Sequence, residues 1–295
     1  MTETTVQYLL NGVLIRNRFL GIQLHNRGLN YGDGLFESMR YQRGAILFWE
    51  DHYFRLMASM RILRMEIPLA FSPEFLMARI QEVVEANGWQ GQPLRIKLLV
   101  VRQAGGYYTP ETRAVDYLIT AEPLPHFGYR LNEEGLRVDL YKDFYKPVNL
   151  LSTLKSTSAQ LYTLAGIYRK ENQLDEVLLL NDQKRVVEAL SSNIFMEDGD
   201  GIIYTPPLES GCLKGVMRKN IIKMLREAGK EVQEEALNPF ALQKARSLFL
   251  TNAVKGISWV QYYRKKTYEK DLPQLLSKRL NAEVVLGKGP MQSLP

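Results

Sequence analysis

The chain is poor in the residues that cross-link a fold or bind metal. It has one cysteine, Cys212, so no disulfide can form within it. Its three histidines, His25, His52 and His126, are far apart and adjoin no cysteine pair, so they make no metal set. No run approaches the ~20 apolar residues of a membrane-spanning helix. Residues 1–5 lack the basic stretch followed by an apolar one that marks a secretory signal. The GxxxxGK[ST] spacing of a nucleotide-binding loop is missing, as are internal repeats and low-complexity tracts. The expectation is a cytoplasmic protein with no metal and no membrane partner.

What is present is ordinary in amount and informative in order. The 295 residues suit two domains, and 45 % hydrophobic with 24 % charged residues is the composition of a globular protein. The charge is 38 − 32 = +6. The basic residues are scattered rather than clustered, which argues against nucleic acid and suits small anions such as a phosphate or a carboxylate.

The chain alternates strand and helix signals. Asn11-Gly12 between apolar runs predicts a hairpin over 8–15. A second hairpin is expected over 37–49, turning at Gln42-Arg43-Gly44. Asp51 is expected to cap a helix through about Arg64, with Leu56, Met60 and Leu63 on one stripe. Ser72-Pro73 predicts a helix that ends near Asn87-Gly88. Strands follow at 94–101 and 115–121. A proline-punctuated connector holds the expected boundary, giving a smaller domain at 1–122, a linker at 123–130 and a larger domain at 131–295 that carries most cofactor contacts. In the second half, strands are expected at 136–141, 176–180, 185–188, 193–197, 232–235, 247–251 and 257–263. Helices are expected at about 158–171, 215–228 and 271–281, and residues 287–295 look loose. The class is α/β, or α+β, in two domains.

Three features suit a site for an aldehyde cofactor that acts as an electron sink. Pyridoxal phosphate needs a lysine tether, an acid at its ring nitrogen, and a cradle of N–H groups plus a cation at its phosphate. Lys155 lies in a small polar loop ahead of an apolar helix, Glu188 ends a β-like run, and Gly215-Val216 opens an amphipathic helix. Arg55 could supply the cation and Thr251 a hydroxyl. Taken singly, each reads more readily as a solvated lysine, a strand-end glutamate, a plain helix cap, a surface arginine or a strand threonine.

Their order resembles a family. Tyr31-Gly32-Asp33-Gly34-Leu35-Phe36-Glu37 with Arg40, His52 with Arg55-Leu56, and Glu188 with Asn193-Ile194-Phe195 come first. Thr205-Pro206-Pro207-Leu208, Gly215-Val216-Met217-Arg218 and Leu250-Thr251-Asn252-Ala253 follow. Across about residues 6–263 the chain resembles the class IV pyridoxal-phosphate aminotransferases, the D-amino-acid and branched-chain aminotransferase group that also holds 4-amino-4-deoxychorismate lyase. The resemblance implies fold type IV, a homodimer and bound pyridoxal 5'-phosphate. It implies that Lys155 is the Schiff-base lysine and shuttles the substrate proton. It places Glu188 at the ring nitrogen, and Arg55, Gly215, Val216, Met217 and Thr251 at the phosphate. Tyr31, Phe36, Ser38, Lys97, Asn252 and Ala253 match substrate-binding positions, with Arg95 on the strand face of Lys97.

Two departures bear on the reaction. Gln160 stands where branched-chain enzymes carry a tyrosine bonded to the cofactor's ring oxygen, unless a group such as Tyr162 substitutes. Asn252-Ala253 and the loop from Arg102 to Tyr108 are nearer the lyase pattern, whereas Glu37 after Phe36 follows the aminotransferases. The expected activity is transfer of an amino group between a branched-chain-like L-amino acid and 2-oxoglutarate. The alternatives are cleavage of aminodeoxychorismate to 4-aminobenzoate and pyruvate, or transamination of D-amino acids.

Overall fold

A computed structural model describes residues 6–16 and 25–285. The chain forms two compact units. Among the described residues, one comprises 6–16, 25–127 and 155–158; the other comprises 128–154 and 159–285.

The first unit is built on an antiparallel sheet. Its elements are β1 (Tyr8–Leu10), β2 (Val13–Ile15), α1 (Arg27–Tyr31), β3 (Gly34–Gln42), β4 (Ala45–Ile46), α2 (Trp49–Ile62), α3 (Pro73–Ala86), β5 (Leu94–Arg102) and β6 (Val115–Pro123). The strand order is β2-β1-β6-β5-β3-β4. Asn11 and Gly12 take the positive φ angles of 49° and 85° that close the first hairpin. Period-2 alternation divides the sheet. Leu35, Met39, Ile96, Leu98, Val100 and Ile119 are buried on the face covered by α2 and α3. Phe36, Ser38, Arg95 and Lys97 lie on the other face and are half-buried.

Several boundaries differ from expectation for local reasons. The second hairpin's return strand stops at Ile46, and the helix begins at Trp49 rather than after Asp51. Phe48, with φ 58°, is left-handed and ends the extended run, so Asp51 sits inside the first turn instead of capping it. There its charge suits the helix N-terminus. Ser72 does cap α3, accepting from the Phe75 N–H at 3.1 Å. Helix α1, unforeseen, is capped by Asn26 and ended by Gly32 at φ 63°.

The second unit contains β7 (Leu136–Lys146), α4 (Gln160–Glu171), β8 (Glu176–Asn181), β9 (Val186–Ala189), β10 (Asn193–Glu197), β11 (Ile203–Thr205), α5 (Val216–Glu227), β12 (Val232–Glu234), β13 (Ser247–Asn252), β14 (Gly256–Tyr263), β15 (Lys266–Thr267) and α6 (Asp271–Val285). Its mixed sheet runs β12-β11-β10-β13-β14-β7-β8-β9, with β15 beside β14. Its core holds Val138, Leu178, Val186, Ile194, Leu248, Leu250 and Val260. Strand β7 continues to Lys146 rather than stopping at Tyr141, because its far end rejoins β8 at Asn181 after an irregularity. Strands β11 and β15 were not expected, being short. The expected loose segment at 287–295 lies outside the described residues. Among the described residues no helix is long and apolar enough to cross a membrane.

Candidate active site

Lys155 is placed by main-chain bonds in the first unit. The Phe36 N–H donates to the Lys155 carbonyl at 2.9 Å, and the Thr157 N–H donates to the Gly34 carbonyl at 2.9 Å. Residues 155–158 thus extend along the open end of β3, with Leu35 opposite Ser156. This pairing delays α4 to Gln160, two residues later than the spacing predicts. Gly34 makes it possible: a Cβ there would lie 3.0 Å from Thr157 Oγ1 and 3.1 Å from the Val100 carbonyl.

The pairing aims Lys155 at the half-exposed sheet face. Its Nζ stands 4.5 Å from the centre of the Phe36 ring, and Lys97 Nζ stands 5.2 Å from the same ring. Ser38 is directly opposite Lys97 across β3 and β5. Arg95, on the same face, pairs with Glu122 at 3.4 Å. The Tyr31 ring lies 5.7 Å from that of Tyr108 and 4.8 Å from the Arg27 guanidinium.

Arg55 is on the covered side of the sheet. Glu37 alternates with Phe36, so it meets α2 instead of the Lys155 face. Arg55 Nε donates to Glu37 Oε1 at 2.7 Å, and Nη2 donates to Oε2. His52, one turn earlier, bonds Oε2 through Nδ1 at 2.7 Å. Burial pushes the Glu37 carboxyl up, but the Arg55 charge and the His52 hydrogen bond outweigh it and hold it at about 2. Burial lowers His52, so the neutral ring donates from Nδ1. Its Nε2 is buried with no partner among the described residues.

In the second unit, Glu188 is the centre of a buried polar group. Its Oε1 accepts from Lys146 Nζ at 2.5 Å and from the Tyr162 hydroxyl at 2.6 Å. Its Oε2 accepts from the Leu213 N–H at 2.6 Å. Burial, and then the Glu188 carboxylate, raise Tyr162, so the phenol keeps its proton. Tyr162 is therefore engaged with Glu188.

The loop before α5 is fastened to the sheet. Asn193 donates to the Leu213 carbonyl at 2.9 Å. A Cβ on Gly215 would fall 1.9 Å from Asn193 Oδ1, so only glycine fits there. The Gly215 N–H, expected to be free, bonds the Leu213 carbonyl at 2.8 Å. What remains for an anion is the start of α5 at Val216 and Met217, which carries no side-chain cap. Thr251, opposite Asn193 across β10 and β13, has a buried hydroxyl with no partner among the described residues. Asn252 is spent on structure: it donates to the Ser191 carbonyl at 2.6 Å and accepts from Val254 and Lys255. The Ala253 carbonyl accepts from Tyr129 at 2.8 Å.

These features fit the expected cofactor. An orphaned buried hydroxyl, a helix start without a cap, and a carboxylate held ready by fixed donors suit a phosphate and a ring nitrogen. Sequence reasoning missed Lys146, Asn193 and the roles of Glu37 and His52. The three family segments containing Glu37, His52 and Asn193 were a usable signal for three of these, and Lys146 had none.

Known proteins share the sequence pattern and the fold. The amino-transferase class IV family model matches residues 34–262. A Methanocaldococcus jannaschii protein, provisionally named a branched-chain-amino-acid aminotransferase, is 32 % identical over 251 residues, 84 % of each chain. The crystal structure of a branched-chain aminotransferase from Thermoproteus uzoniensis with norvaline superposes with TM-score 0.84 at 25 % identity, covering 97 % of this chain and 96 % of that one. A Legionella pneumophila protein, provisionally named 4-amino-4-deoxychorismate lyase, superposes with TM-score 0.78 at 21 % identity, covering 90 % of this chain and 97 % of that one. At that identity it speaks for the fold alone.

Proposed function

We propose a reaction and residue roles for this chain, which belongs to the class IV aminotransferases and is a pyridoxal-phosphate-dependent transaminase of fold type IV. The reaction moves an amino group between an L-amino acid with an apolar, branched side chain and 2-oxoglutarate. The observation that carries it is the pair of lysine nitrogens beside Phe36, at 4.5 and 5.2 Å from one apolar ring. Lys97 offers a cation to a carboxylate, Phe36 an apolar wall, and Lys155 an amine, all on one face. The relative at 32 % identity carries the branched-chain name, which supports the same substrate class.

When bound, pyridoxal phosphate supplies an aldehyde that takes up amines and a ring that withdraws electrons. Lys155 would hold that aldehyde, and its Nζ would take up the proton from the substrate Cα. Glu188 would accept from the ring nitrogen. Arg55, the Val216 and Met217 N–H groups and the Thr251 hydroxyl would hold the phosphate, and Gly215 allows the loop its path. Tyr31, Phe36, Ser38 and Lys97 bound the substrate, with Asn252 and Ala253 contributing main chain, since the Asn252 side chain is committed. The larger unit carries most cofactor contacts. A cytoplasmic homodimer is part of the same reading.

Ser38 supports a second reading. Its hydroxyl faces the side of the sheet that carries Lys97, where a lyase would need a proton donor for a group leaving Cβ. Absorbance of the loaded protein separates the two. L-Leucine or L-valine alone is expected to convert the cofactor to its amine form, and 2-oxoglutarate to reverse the change. Pyruvate and 4-aminobenzoate released from aminodeoxychorismate, with no response to any branched-chain amino acid, would select the lyase instead. Lys155→Ala is expected to abolish turnover in either case, and steady-state activity in that variant would remove Lys155 from its role.

A further inference from the structure

Lys146 closes β7 with its side chain 4 % exposed, against a Glu188 side chain 3 % exposed. An ionised carboxylate offers about four lone-pair positions. Three are taken here, by Lys146, Tyr162 and the Leu213 N–H, and the one left is on Oε2. The carboxylate is thus oriented before any ligand arrives, with room for one more donor. A buried ion pair is a poor device for stability, because desolvation offsets the attraction and an apolar pair of similar volume does as well. The ammonium is therefore better explained by what it does to the remaining position.

The groups facing Glu188 from each neighbouring element are few. They are Lys146 from β7, Tyr162 from α4, and Cys212 ahead of α5, with Arg218 of α5 acting on Cys212. Tyr162 is neutral. Burial pushes the Cys212 thiol up to about 12, so it too is neutral at pH 7. Lys146 is therefore the cation bonded to the carboxylate, and its charge works on any proton that Glu188 helps to hold.

We propose that Lys146 is a positioning residue that keeps Glu188 oriented and lowers the proton affinity of the cofactor's ring nitrogen. It rests on the assignment of Glu188 to that nitrogen. A lone glutamate would hold the ring proton tightly. A glutamate already paired with an ammonium holds it less tightly, so the ring's electron-withdrawing power is set lower and becomes sensitive to pH. The alternative, a purely structural Lys146, predicts no effect on the ring nitrogen.

The test is the protonation midpoint of the ring nitrogen, read by 15N NMR of the holoprotein loaded with ring-15N pyridoxal phosphate. Lys146→Gln, which keeps a donor but drops the charge, is expected to raise the midpoint by about one pH unit or more. Lys146→Arg is expected to stay near wild type, and Glu188→Gln to fall below it. An unchanged midpoint in Lys146→Gln, with Glu188→Gln lowered, overturns the proposal and leaves the Glu188 assignment standing. If Glu188→Gln also leaves the midpoint unchanged, the assignment itself fails and the proposal with it. Should Lys146→Gln not fold, the Lys146→Gln/Glu188→Gln pair buries no unpaired charge. Its midpoint is expected above that of Glu188→Gln alone, and equal midpoints would overturn the proposal.

Discussion

Replacing Glu37 by glutamine tests how Arg55 is held. The substitution keeps the side-chain shape and removes the charge that pairs with Arg55 and accepts from His52. The carboxyl is held at about 2 against an ordinary 4.5, a difference of 2.5 units. At ~1.36 kcal/mol per unit, this is about 3 kcal/mol of folding stability at neutral pH. That is an upper figure, because His52 is neutral and contributes a hydrogen bond rather than a charge. The sign follows from the direction. The folded-state value is depressed, so the contribution is complete above pH 4.5 and is lost as pH falls towards about 2. His52, lowered by burial, acts the same way: the unfolded chain takes up its proton below the ordinary 6.5, so stability again falls with pH. The same figure comes from the other side, since leaving Arg55 buried without its partner costs about 3–5 kcal/mol. Denaturant unfolding followed by tryptophan fluorescence, at fixed protein concentration between pH 7 and 3, reads both. Glu37→Gln is expected to lose about 3 kcal/mol at pH 7 and to show a shallower acid limb. A variant with the wild-type midpoint at pH 7, or with the full wild-type acid limb, would refute the account of Glu37 as the group that fixes Arg55.

Other substitutions probe the second unit. Gly215→Ala puts a Cβ 1.9 Å from Asn193 Oδ1, so the loop must shift; a loss of about 1–3 kcal/mol and weaker cofactor retention are expected by thermal unfolding and dialysis, and a wild-type melting temperature would contradict the close approach. Thr251→Val removes a buried hydroxyl that has no partner. The cofactor-free protein is expected to keep or gain up to about 1 kcal/mol, while the loaded protein releases its cofactor faster; a destabilised cofactor-free variant would show the hydroxyl to be structural. For Glu188→Gln a loss of about 2–4 kcal/mol in transition-state stabilisation is expected from kcat/KM, and a value within twofold of wild type would contradict its role.

Local chemistry explains which elements were legible. Asn11-Gly12 and Ser72-Pro73 each carry their geometry in adjacent residues, and the hairpin and helix form where expected. Helix α2 was misplaced at its start because Phe48 adopts a left-handed backbone that no residue pattern announces. The extension of residues 155–158 on β3 was invisible for another reason: it depends on Gly34, more than a hundred residues earlier, leaving room. For the candidate site, motif order pointed to residue types but not to their neighbours. Lys146 and Glu188 lie 42 residues apart and meet only because β7 runs beside β8 and β8 beside β9. Likewise Glu37 and Phe36 are adjacent in sequence yet serve opposite faces of one sheet.

The four residues 155–158 belong by contact to one unit and by covalent connection to the other. A chain cut at 127/128 would therefore not yield two self-contained pieces. The second piece would carry Lys155 but not the strand edge that sets its main chain, and the first would keep that edge with nothing to bind. Modular exchange of either half among relatives has to move this tetrapeptide's docking edge and its lysine together.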